Sequence, residues 1–95
     1  MEKIQQLRKK IDEVDEQILL LLNERVKLCK AIGKVKKEHG IPIKDPLREN
    51  KVYQHIRHKA SRLELGQNHV ETVYREIIAM CTIVQELEEN ASEQP

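Results

Sequence analysis

Arg25 and Lys36 are the first residues whose placement could do chemistry. They lie eleven positions apart in a long helical pattern, about 20° off one face and roughly 16 Å along the axis. Two long cationic side chains so placed can lean toward one anionic ligand between them. A second group, Asp45, Arg48, Glu49 and Val52, shares a face at i, i+3, i+4 and i+7. That face ends in a core-type valine yet begins with three charges, directly at the helix start marked by Asp45-Pro46. A third position, Gln85, continues the stripe Tyr74, Ile78, Cys81 and presents an amide where a hydrophobe could have served.

Each position also has a plain structural explanation. Arg25 belongs to an apolar seam, where a lone charge is costly unless paired or hydrogen-bonded. A register-setting polar residue of a coiled coil would account for it alone. Gln85 stands near a helix end, where sequences turn polar. Gly33, in a helix interior that normally avoids glycine, either relieves packing or admits a ligand. Arg8 borders the seam but is 17 residues from Arg25, about 25 Å along the helix. One small ligand cannot meet both from the same helix. An antiparallel second copy could bring its own Arg8 alongside Arg25; in isolation LRKK reads as a solvated charge run.

The elements that must position these residues are helices. Ile4, Leu7, Ile11, Val14, Ile18, Leu21, Leu28, Ile32 and Val35 form a nearly unbroken seven-residue repeat, with no proline before Pro42. The spacing predicts a helix over about 3–38, roughly 54 Å long. A compact domain of this size has a radius of gyration of only about 13 Å. Such a helix overshoots any core its own chain could build, and pairing with a second copy or another long helix is the natural remedy. A second helix is expected over about 45–63, with the thin apolar face Val52, Ile56, Ala60, Leu63, ending near ELGQN at Gly66. A third is expected over about 68–87, capped by Asn68, with the stripe Val70, Val73, Ile77, Met80, Val84, Leu87. The polar tail 88–95 is expected to fray. No strand alternation and no internal repeat is visible, so the fold class is all-α: one domain over 1–95, a three-helix chain with a long first helix.

Composition removes several function classes. The chain has 95 residues, with 35% charged but a net charge of only +1, so nothing pulls it generally toward nucleic acid or acidic membranes. Any anion site must come from local clustering. Cys29 and Cys81 have neither disulfide nor metal spacing and read as small hydrophobes in a reducing cytosol. His55 and His58 have no third ligand near them, so no metal site is expected. No signal peptide opens the chain and no run of 18 apolar residues occurs. The expectation is a cytoplasmic protein that engages no membrane.

The segments LRKKIDEVDEQILLLLNERVKL, GKVK, IPIKDPLRE and EIIAMCTIVQ, in that order and spacing, resemble the all-helical chorismate mutases. The resemblance runs from about Ile4 to Leu87; each motif is loose alone, and their joint order is specific. It implies an intertwined homodimer of three-helix chains and an isomerase that rearranges chorismate to prephenate, on the route to phenylalanine and tyrosine, with no cofactor. By resemblance, Arg8 enters the partner chain's site and binds a substrate carboxylate, while Arg25 binds a carboxylate in its own subunit's site. Lys36 contacts a carboxylate and the breaking ether oxygen. Arg48 and Glu49 fall on an RE pair whose glutamate holds the ring hydroxyl, and Asp45 contributes at the same helix start. Gln85 hydrogen-bonds the ether oxygen. Cys81 departs from the pattern: a hydroxyl often stands there to bind a carboxylate, and a thiol is a poor donor. The rival readings are an isochorismate pyruvate lyase of the same fold, against which Glu49 argues, and a non-catalytic helical dimerisation module, which leaves the charged positions unexplained.

Overall fold

The structure, a computed structural model, describes residues 1–91. Three helices follow one another: α1 (Glu2–Glu38), α2 (Pro46–Arg62) and α3 (Gln67–Ala91), and no strand occurs among the described residues. α1 is long because its apolar repeat meets no proline, and it stops at a left-handed glycine. Gly40 has φ +63°, the Ile41 N–H donates to the Lys36 carbonyl at 2.8 Å, and the Gly40 N–H donates to Lys37. These two bonds satisfy carbonyls the helix end would otherwise leave open.

α2 begins as Asp45-Pro46 implies. The Asp45 side chain accepts from the Arg48 N–H at 3.1 Å, and Pro46 takes the first helical position. Its other end falls at Arg62, with Leu63 as cap, close to the expected place. The residue in left-handed conformation is Glu64, with φ 60°, rather than a glycine. Leu65 N–H reaches the Ala60 carbonyl at 2.9 Å and Glu64 N–H reaches Ser61 at 3.2 Å, the same two-bond closure as in α1. α3 differs at both ends. It starts at Gln67, so Asn68 is inside the helix and its Oδ1 accepts from Arg57 at 3.1 Å instead of capping. It also runs on through residues 88–91, which were expected to fray; Glu88 there faces Lys30 and Lys34 of α1 at 3.9 and 3.7 Å. The rest of the tail, 92–95, lies outside the described residues.

α3 packs between the other two, against α1 on one side and α2 on the other. It runs parallel to α1, since residues 25 to 37 of α1 meet 81 to 89 of α3 in rising order. On the α2 side, Arg57 reaches Asn68 and Glu71, while Arg75 holds Glu71 at 2.9 Å and stacks 4.6 Å from the Tyr53 ring. The Glu71 carboxyl is held below the usual carboxylate range, first by its hydrogen bond from Arg75. The core is small. Ile56, Ala60 and Cys81 are its buried apolar side chains, joined by Gln85, and Gly33 is the one buried residue of α1. Every residue from 1 to 21 is exposed.

Candidate active site

One cavity of about 290 Å³ opens where the C-terminal part of α1, the start of α2 and the middle of α3 converge. Each helix contributes one face. α1 supplies Arg25, Cys29, Ile32 and Lys36, spaced i, i+4, i+7, i+11; α2 and its cap supply Asp45, Arg48, Glu49 and Val52; α3 supplies Ile78, Cys81, Thr82 and Gln85. The loop between α1 and α2 adds Ile43 and Lys44. Helical periodicity is therefore what gathers these residues. The three charges that open α2 line this cavity, while Ile56 and Ala60, further along the helix, enter the core.

Four cations, Arg25, Lys36, Lys44 and Arg48, stand against two carboxylates, Asp45 and Glu49. The local balance favours an anion although the whole chain is nearly neutral. Lys36 Nζ donates to the Ile43 carbonyl at 2.7 Å, which ties the last turns of α1 to the loop leading into α2. Arg25 Nη1 donates to Cys81 Sγ at 2.9 Å and lies 3.8 Å from Cys29 Sγ. Sulfur is a weak acceptor, so the guanidinium keeps most of its donor capacity for a ligand. Burial, then the hydrogen bond and charge of Cys81, push the Cys29 thiol up to about 11, against the opposing pull of Arg25 and Lys36. Cys29 stays protonated at neutral pH and is no thiolate nucleophile.

Gln85 is 8% exposed, although it carries an amide. Gly33 explains how it fits. A Cβ at Gly33 would stand 3.1 Å from Gln85 Cγ, 3.2 Å from its Cα and 3.3 Å from its Cβ. The glycine therefore admits the backbone and side chain of Gln85, where a ligand was one of two expectations. Arg8 does not line the cavity; it stands exposed in the first turns of α1. Cys29, Lys44 and Thr82 line it and were not foreseen as site residues. Only the 25, 29, 32, 36 spacing could have pointed to Cys29, and nothing periodic marks Lys44.

An all-helical chain with a cation-rich cavity is the class that the fold and the site define. Residues 7–86 match the family model for chorismate mutase type II, and the chain belongs to that family of isomerases. It is 43% identical over 84 residues to a bifunctional chorismate mutase/prephenate dehydratase of Aquifex aeolicus, across 85% of this chain and 23% of that protein. Over 68 residues it is 43% identical to a chorismate mutase of Methanocaldococcus jannaschii, across 72% of this chain and 69% of that one. A T-protein of Haemophilus influenzae is 36% identical over 75 residues, across 79% of this chain and 20% of its own length. The chain thus spans about a quarter or less of the two longer relatives.

Proposed function

We propose that the chain converts chorismate to prephenate at this cavity, in cytoplasmic biosynthesis of phenylalanine and tyrosine. The observation that carries the reading is the convergence of Arg25, Lys36 and Gln85 on one cavity beside Arg48 and Glu49. The reaction is a unimolecular Claisen rearrangement, in which the ether C–O bond breaks as the new C–C bond forms. No nucleophile or base takes part. What the protein supplies is orientation: cations that hold both carboxylates fold the enolpyruvyl side chain over the ring. C–O cleavage runs ahead, so negative charge grows on the ether oxygen. The Lys36 ammonium and the Gln85 amide N–H meet that charge, stabilising the transition state more than the substrate. Lys36 reaches the substrate by exchanging its bond to the Ile43 carbonyl for one to the ligand, a short swing for a flexible side chain. Glu49 accepts from the ring hydroxyl, Arg25 and Arg48 hold carboxylate, and Asp45 fixes the helix start that presents Arg48.

The working unit in this reading is an intertwined homodimer, with Arg8 of one subunit completing the other's site at a carboxylate. Support comes from exposure. Ile4, Leu7, Ile11, Val14, Ile18 and Leu21 are between 44% and 63% exposed, although they form one apolar seam. A run of that length left in water calls for a partner helix. No helix among the described residues is long and apolar enough to cross a membrane.

The test is a chorismate-depletion assay with product identification. Prephenate is the expected product; pyruvate release from isochorismate would support the lyase instead. Lys36→Ala should lower kcat roughly 10²–10³-fold, as loss of one preorganised donor at a developing oxyanion does, with circular dichroism unchanged. Near-normal turnover in that variant would refute the assignment.

A further inference from the structure

We propose that Gly33 is a positioning residue for the reaction: its missing side chain sets the place of the Gln85 amide. The inference rests on the reading of the cavity given above. Gly33 sits in the interior of a 37-residue helix, where glycine is less favourable than alanine. Its φ is not in the left-handed region, so backbone conformation does not require glycine there. What requires it is space. All three of the nearest atoms to a Cβ at position 33 belong to Gln85, at 3.1 to 3.3 Å, and one of them is its backbone Cα. α1 and α3 are therefore in close contact at the residue pair that carries the amide. Lys36 follows Gly33 by three residues on α1, roughly 4.5 Å up the axis. The crossing that seats Gln85 thus also fixes its separation from Lys36, the two groups aimed at one oxygen.

An alanine at 33 pushes Gln85 by a few tenths of an ångström and leaves the carboxylate-binding arginines on their own helices. Small misplacement of a donor weakens the transition state more than the bound substrate. Gly33→Ala should therefore lower kcat roughly tenfold with KM within about twofold, while helix content is kept. In a Gln85→Ala background the amide is already gone, and the same glycine change should alter kcat by less than about twofold. This double-mutant cycle separates positioning from packing. An equal kcat loss in both backgrounds, a KM effect with kcat unchanged, no effect at all, or a Gly33→Ala chain that fails to fold would each overturn the inference. An inactive wild type would instead overturn the proposed function, so the two failures are distinguishable.

Discussion

Cys29 lines the cavity beside Cys81 and Arg25, and its burial has a consequence for stability. The Cys29 thiol is raised from 9.0 to about 11, first by burial and then by Cys81. Between those values the folded chain holds a proton that the unfolded chain has released. Stability from this group is therefore complete below pH 9 and is lost as pH rises through 11. Denaturant midpoints should fall more steeply between pH 9 and 11 for the wild type than for Cys29→Ser, whose hydroxyl does not titrate. Parallel slopes would contradict the burial account. Residues of this site were legible in the sequence when they broke a pattern. Arg25 interrupts an apolar seam, Arg48 and Glu49 open a helix that ought to show a core face, and Gln85 interrupts a hydrophobic stripe. Cys29 conforms to its helix and was marked only by its spacing from Arg25 and Lys36, Lys44 stands in a loop, and the fit of Gly33 against Gln85 depends on two helices meeting in space.

Helices were legible as elements and less so at their ends. The seven-residue repeat gave α1 to within a residue because periodicity accumulates over many turns, and Asp45-Pro46 marked the start of α2 because its capping chemistry is local. α2 ends at Arg62, within a residue of the expected place, and beyond it Glu64 takes the left-handed position that Gly40 takes after α1. The closing hydrogen bonds to Ala60 and Ser61 hold it there. A left-handed conformation costs a residue with a Cβ roughly 1–2 kcal/mol, part of which glycine returns as unfolded-state entropy. Glu64→Gly should therefore stabilise the chain by about 0.5–1 kcal/mol, read as a higher Tm with unchanged turnover. A lower Tm would show that the glutamate side chain makes a compensating contact. The end of α3 was misjudged for another reason. Polar composition at 88–91 suggested fraying, but Glu88 faces two lysines of α1 and Lys37 reaches the Glu89 carbonyl, so polar contacts extend the helix.

At the scale of the whole molecule the dimension that matters is length. The described chain extends 58 Å in one direction and 15 Å in another, with a radius of gyration of 17.1 Å against about 13 Å for a compact domain of its size. Among the described residues only Ile56, Ala60 and Cys81 are fully buried apolar side chains, a small core for a chain of this length. The overshoot was legible from the repeat; which surface would cover the seam was not, because an apolar seam does not name its complement. On the proposed reading a second copy covers the seam, and each active site takes Arg8 from one subunit and Arg25, Lys36, Arg48 and Gln85 from the other. The most direct measurement is activity after co-refolding Arg8→Ala and Lys36→Ala chains, with mixed dimers verified by mass spectrometry. Each variant alone should be nearly inactive, since every site lacks one cation. In a mixed dimer one site lacks both residues and the other lacks neither. With random pairing, half the dimers are mixed and half of their sites are intact, so about a quarter of wild-type activity should return. Mixed dimers that recover no activity would contradict the shared site, because every site would then still carry one lesion.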